Sequence, residues 1–238
     1  MRGEKGRHVS KRAKVIATSA QDAVAAAAGG ADRLELAGDM AADGLTPSIE
    51  EFARIRAAVH LPLRVMLRDR DGFVPRDLDG LCATAERLRA EGAEEFVLGF
   101  LPGEDMEAVR TVLSAIPGCR WTFHRALDNA ADRNAVRAAI DGLPGLDTVL
   151  TAGSPAGVAS GLEVLATETA CAGRPGFRPQ ILVGGGLKTH QVAGLRALGV
   201  DGFHVGGMVR TGGWETPVDT GLVQEWRRLV DAGVGAAA

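Results

Sequence analysis

Residues 180–207 read QILVGGGLKTHQVAGLRALGVDGFHVGG. A β-favouring run from Gln180 to Gly184 passes through glycines into a stretch with apolar residues at helical spacing, near 188–198. Leu198-Gly199 ends that stretch as a left-handed glycine would, and residues 202–206 open a second strand. Strand, loop, helix and strand in about 27 residues make a parallel crossover unit, which is right-handed almost without exception.

The same unit recurs in both directions along the chain. Strands are expected at 14–18, 33–37, 63–67, 95–99, 120–124, 147–151, 180–184 and 202–206. Helices are expected near 20–28, 48–59, 77–91, 105–116, 132–142, 156–170 and 188–198. Ser48 before Ile49-Glu50-Glu51 reads as a cap followed by acids at the positive end of the helix dipole. Gly29-Gly30 and Gly92 read as helix ends. An open doubly wound sheet uses such units too, but eight at regular spacing favour closure into an α/β barrel, a (β/α)8 TIM-type barrel in a single domain over 13–238. Residues 1–12 read as a basic, flexible N-terminal tail.

Composition agrees. The 238 residues include 32 glycines and no tyrosine, so the core is built from Val, Leu, Ile and Ala, as in a parallel sheet covered by helices. A net charge of −3 gives no electrostatic case for nucleic acid, and no apolar run approaches the ~18 residues of a membrane span. Cys82, Cys119 and Cys171 are odd in number and far apart, which fits a reducing, cytoplasmic compartment.

Alternation along a strand sends one parity inward and the other towards the helices. Trp121 and Phe123 suit the helix side, which turns Thr122 and His124 inward. The same argument turns Lys14, Ile16, Glu35, Ala37, Arg64, Met66, Arg68 and His204 inward. A barrel interior is normally filled with branched apolar residues, and buried charges must pair. One reading is a structural network in which Lys14 and Arg64 neutralise Glu35. The other is a ligand site where Arg68, His124 and His204 end their strands beside Arg125, with Glu35 fitting either reading.

Two glycine-rich loops follow the seventh and eighth strands, Gly184-Gly185-Gly186 and Gly206-Gly207, with Arg210 close behind. In barrels this is where backbone N–H groups and a short helix hold phosphate, so a small anionic ligand is expected there. Tight turns alone would also explain the glycines. The loops at 38–48 and 68–73 are long or dense in charge, as segments covering a ligand are. There is no CxxC, no HExxH and no histidine pair at helical spacing, hence no strong metal signature. The soft candidates are Met66, His124, His204 and Met208.

Six ordered motifs carry a resemblance. They are Gly30-Ala31-Asp32-Arg33-Leu34-Glu35-Leu36, Gly44-Leu45-Thr46-Pro47-Ser48, Val65-Met66-Leu67-Arg68-Asp69-Arg70, Phe123-His124-Arg125-Ala126-Leu127-Asp128, Leu150-Thr151-Ala152-Gly153 and Gly184-Gly185-Gly186. From about residue 13 to 210 the chain resembles the copper homeostasis protein CutC family. The resemblance implies a (β/α)8 barrel, a cytoplasmic location, copper as the only implied metal, and homodimers or higher homo-oligomers. The family commonly carries cysteines on strands one and two as its proposed Cu(I) ligands. Here those positions are Ile16 and Ala37, and the strand-one Glu and Asp are Lys14 and Thr18. Thiolates select Cu(I), so the departure speaks against copper at that place.

Two functions stand side by side. One is copper handling, carried by the resemblance. The other is an enzyme of lyase, isomerase or aldolase type acting on a small phosphorylated or carboxylated metabolite. In it Glu35 or His124 exchanges a proton, Asp128 orients His124, His204 assists, and Arg68 with the glycine loops holds the anion.

Overall fold

The computed structural model describes residues 12–101 and 106–232. Eight parallel strands close on themselves in sequence order, β1 pairing with both β2 and β8. They are β1 (Arg12–Ala17), β2 (Arg33–Leu36), β3 (Leu63–Met66), β4 (Glu95–Leu98), β5 (Arg120–Phe123), β6 (Leu146–Thr151), β7 (Gln180–Val183) and β8 (Gly202–Val205). The helices are α1 (Ala20–Ala28), α2 (Ile49–Ala58), α3 (Leu78–Ala90), α4 (Glu107–Ala115), α5 (Arg133–Ile140), α6 (Val158–Ala170), α7 (Val192–Ala197) and α8 (Thr220–Asp231). The expected closed barrel is thus the observed one.

Three expectations need adjusting. The first strand already includes Arg12, and the rest of the expected basic tail lies outside the described residues. The helix expected at 188–198 is a 3-10 turn, Thr189–Gln191, followed by a short α7. The expected series stops at seven helices and omits α8, although Val223, Trp226 and Val230 are buried at helical spacing and Asp219 caps its start.

Ser48 caps α2 as expected, its hydroxyl accepting the Glu51 N–H at 3.1 Å. The parity argument also holds. Val15, Leu34, Leu36, Trp121, Phe123 and Phe203 are buried in the large core between barrel and helices. Inside, Ala37, Met66 and Val97 form a small separate cluster, with Ile16 and Met40 against it.

Beneath that apolar layer lies a charged one. Arg64 is fully buried, its Nε donating to Glu95 at 2.8 Å and its Nη2 to Asp147 at 2.6 Å. Arg33 pairs with Glu95 at 3.3 Å, and Arg120 closes on the same carboxylate from the rim. A register shift supplies Asp147. Trp121 and Thr122 oppose Leu146 and Thr148, so Asp147 is the extra residue of a bulge. The expected Arg64–Glu35 pairing is therefore corrected. The two sit side by side on β3 and β2, but the guanidinium turns towards two carboxylates near the strand starts, leaving Glu35 to Lys14.

Candidate functional site

The strands end in a cavity of about 750 Å³ at the C-terminal mouth of the barrel, within the range that accepts small metabolites. Glu35, Arg68, His124 and His204 all line it, as their strand parity requires.

Glu35 forms the charged part of the floor. It is 2% exposed, with Oε2 2.5 Å from Lys14 Nζ and Oε1 3.6 Å from His204 Nε2. Burial alone would raise its pKa, but the charge of Lys14 and the hydrogen bond from it hold the carboxyl below its usual range. Burial lowers Lys14 to about 8, against the opposing pull of Glu35 and with help from Arg64. One carboxylate oxygen is thus pinned by Lys14 while the other lies near His204, and the residue lines the cavity.

The two histidines are almost wholly buried. Desolvation, aided by Arg68, lowers His124 to about 4. Desolvation lowers His204 to about 4 as well, with Glu35 opposing. Both imidazoles are therefore neutral at pH 7. His124 Nδ1 accepts the Ala126 N–H at 3.1 Å, which caps a 3-10 turn over Arg125–Asn129. The Nε2 atoms of both histidines have no hydrogen-bonding partner among the described residues.

That 3-10 turn corrects the role expected of Asp128. The turn carries Asp128 away from His124 and buries it between β5 and β6. There it accepts from Arg133 Nη1 at 2.9 Å, Thr151 Oγ1 at 2.6 Å and the Ala152 N–H at 2.8 Å. It also accepts from Arg125 Nε at 2.9 Å. Asp128 thus orients Arg125, and Arg125 lines the cavity.

Arg68 ties two loops together. Its guanidinium donates to the carbonyls of Asp43 at 2.8 Å and Gly72 at 3.1 Å and lies 5.4 Å from the Phe73 ring centre. Its Nη1 and Nη2 also reach the Asp43 carboxylate at 3.3 and 3.4 Å, so both its donors and its charge are largely committed to the loops.

Of the glycines, Gly185, Gly186, Gly206 and Gly207 line the cavity, and among the described residues their backbone N–H groups make no hydrogen bond. Gly185 and Gly186 sit at φ +99 and +70, a conformation other residues rarely adopt. Gly184 does not line the cavity. A Cβ there would meet the Cβ of His204 at 2.8 Å, so this glycine lets the two strand ends pack.

Arg210 also stands corrected. Its Nη2 is 2.5 Å from Asp22 Oδ2, and its Nη1 donates to the Thr216 carbonyl at 2.6 Å. Burial and that ion pair turn Arg210 behind the loop, where it carries Trp214 at 5.0 Å from its guanidinium carbon. The cations that do line the cavity beside the glycines are Arg125 and Lys188. Arg125, directly after His124, belonged to the expected cluster at the strand ends, whereas the expected site omitted Lys188, two positions past the glycine run.

Comparison with known proteins identifies the family of the chain. The family model described as CutC family matches residues 12–209. The chain belongs to the CutC family. It is 35% identical over 199 residues to a family protein CutC from Xanthomonas axonopodis pv. citri (strain 306), covering 80% of this chain and 81% of that one. It is 35% identical over 208 residues to a CutC protein of Xylella fastidiosa (strain Temecula1), covering 84% and 76%. Among solved structures, the CutC protein of Streptococcus agalactiae, whose name refers to copper homeostasis, superposes with a TM-score of 0.73 at 25% identity. The match covers 82% of this chain and 97% of that one.

This CutC family member lacks the thiol donors expected from the resemblance. Ile16 and Ala37 line the cavity as apolar wall, and none of the three cysteines lines it. Burial raises the Cys82 and Cys119 thiols above their usual pKa, which disfavours the thiolate. Among the described residues no group of three or more His, Cys, Asp or Glu side chains is placed to hold a metal ion. His124 is a poor ligand for a further reason: a neutral imidazole whose Nδ1 accepts an amide N–H carries its proton on Nε2, and that proton blocks coordination. Among the described residues no helix is long and apolar enough to cross a membrane.

Proposed function

We propose that the barrel mouth binds a small phosphorylated or carboxylated metabolite and that Glu35 moves a proton on it, as in a lyase, isomerase or aldolase. One observation carries the reading. A buried carboxylate, pinned by Lys14 on one oxygen, lines a cavity whose rim has bare glycine N–H groups beside Arg125 and Lys188. Backbone N–H groups and fixed cations are what an anion needs, and a positioned carboxylate is what a proton transfer needs. Arg68, paired with the Asp43 carboxylate, ties the loops at the mouth, and His204 sits close enough to Glu35 Oε1 to exchange a proton with it through small movement.

The test is thermal. A ligand at a hundredfold excess over its dissociation constant stabilises the native state by about 2.7 kcal/mol, which for a chain of this size raises the melting point by roughly 5–10 °C. Phosphate or sugar phosphates at millimolar levels should produce such a shift. Gly207→Asp should abolish it with little change in the unliganded melting point. A Cβ at Gly207 approaches nothing closer than Trp214 at 3.9 Å, so the fold tolerates the change while a carboxylate enters the anion's place. No shift in the wild type with any of these anions would reduce the glycines to turns.

A second reading takes copper as cargo, and the name of the Streptococcus agalactiae relative favours it. The donor set does not fit a tight Cu(I) site, because soft thiolates are replaced by Ile16 and Ala37. Titrated against a competing Cu(I) chelator, the protein should lose the ion to the chelator. Stoichiometric Cu(I) retained by a variant with Cys82, Cys119 and Cys171 all changed to Ser would favour the copper reading instead.

A further inference from the structure

The proton on His124 can be located from the geometry around it. Its Nδ1 accepts the Ala126 N–H at 3.1 Å, in a bond that also caps the Arg125–Asn129 turn. An acceptor nitrogen carries no proton, so a neutral ring holds its proton on Nε2. That atom is buried, lines the cavity through its ring, and has no partner among the described residues. Phe73 lies against the ring at 5.8 Å between centres, and Phe123 at 6.3 Å on another side. The ring is thus held by packing and by one backbone bond, with a bare donor left over.

We propose that His124 presents Nε2–H to a carbonyl or carboxylate oxygen of the ligand, so that the cavity takes a carbonyl compound carrying a separate anionic group. The inference rests on the anion-binding, proton-transfer reading above and adds the substrate class to it. A buried N–H left without an acceptor is costly, and a ligand oxygen recovers that cost. A metal ion cannot occupy the position while Nε2 keeps its proton, and a cationic ligand group has nothing to offer the donor. The anion itself is served elsewhere, at the rim, by Gly185, Gly186, Arg125 and Lys188. The ligand therefore has two acceptor ends, one at the rim and one further in.

The chemistry balances without a co-reactant. Glu35 takes a proton from the carbon beside the carbonyl. The C–H bond breaks and an O–H bond forms on the carboxylate. The released electron pair becomes a C=C bond, and the carbonyl π pair moves onto oxygen. His124 Nε2–H then donates to that oxygen as its negative charge develops, which is where a fixed neutral donor has most effect. Return of the proton from Glu35 to the enolate oxygen completes an isomerisation to the enol, and return to the carbon it left regenerates the carbonyl compound. Glu35 and His124 are close enough for the charge of the carboxylate to act on the imidazole.

The experiment uses the full chain with 15N-labelled histidine and two probes. Inorganic phosphate offers the rim an anion alone, whereas 2-phosphoglycolate offers a phosphate and a carboxylate. Long-range 1H–15N spectra of the free wild type at pH 7 should show His124 protonated on Nε2 and bare on Nδ1. With 2-phosphoglycolate the Nε2–H proton should move downfield, and with phosphate it should stay. His124→Gln should weaken 2-phosphoglycolate by about tenfold while leaving phosphate affinity within twofold of wild type. An Nδ1–H tautomer or an imidazolium in the free protein would overturn the proposal, whatever binds. Equal affinity for the two probes with an unmoved Nε2–H would overturn it too. The expected tautomer with neither probe bound would instead bring down the anion-binding reading, and the ligand class with it.

Discussion

Lys14→Met should lower the melting point by roughly 10 °C at pH 7. The change leaves the Glu35 carboxylate buried, 2% exposed, without its 2.5 Å partner. Stranding one member of a buried ion pair costs about 3–5 kcal/mol, and each kcal/mol moves a chain of this size by about 2–4 °C. Arg64 offers no relief, because its guanidinium is committed to Glu95 and Asp147. The double variant Lys14→Met/Glu35→Leu should recover most of the loss, since two apolar side chains of similar volume carry no desolvation penalty. The loss in the single variant should also shrink towards pH 5, because a stranded carboxyl is raised in pKa and escapes its penalty by protonating. A double-mutant cycle by urea denaturation checks the coupling. A single-variant cost under about 1 kcal/mol would mean that Glu35 is not dependent on Lys14 and that the floor of the site is wrongly described.

Acid should destabilise the fold steeply between pH 6.5 and pH 4. His124 and His204 are both lowered to about 4 by burial, against about 6.5 in an unfolded chain. Between those values the unfolded state binds more protons than the native state, so stability rises with pH across the window and is lost as pH falls through it. Each histidine contributes about 3 kcal/mol to that loss when the window is fully crossed. Glu35, held below its usual range, adds a loss of the same sign at lower pH still. Urea midpoints at pH 7, 6, 5 and 4 measure the slope, and His124→Gln should flatten it by about half. A wild-type midpoint unchanged from pH 7 to 5 would mean that the imidazoles take up protons in the native state and that their burial is not costly.

Particular residues show how far the sequence carries. Strand parity placed Glu35, Arg68, His124 and His204 in one cavity because a strand's alternation is local and needs no knowledge of its neighbours. Helix starts such as Ser48 and the glycines that end helices are equally local. The partner of each buried charge is a different matter. Arg64 had Glu35, Glu95 and Asp147 within reach of its long side chain, and the choice went to the latter two through a one-residue bulge on β6. Asp128 and Arg210 carried the right charge in the right loops and still turned to Arg133 and Asp22.

By itself, then, the sequence determined the eight-fold repeat, the closed barrel, the family, and which side chains face inward, because period, capping and parity act within a few residues. Only the tertiary structure decided which of those charges are spent on one another and which are left for a ligand. It left Gly184 and Arg210 out of the cavity lining, turned Asp128 away from His124, and set Arg125 and Lys188 in that lining. It also set His124 Nδ1 against the Ala126 N–H. Ion pairs and hydrogen bonds depend on distances of a few ångströms between residues remote in the chain, and those distances exist only once the barrel has closed.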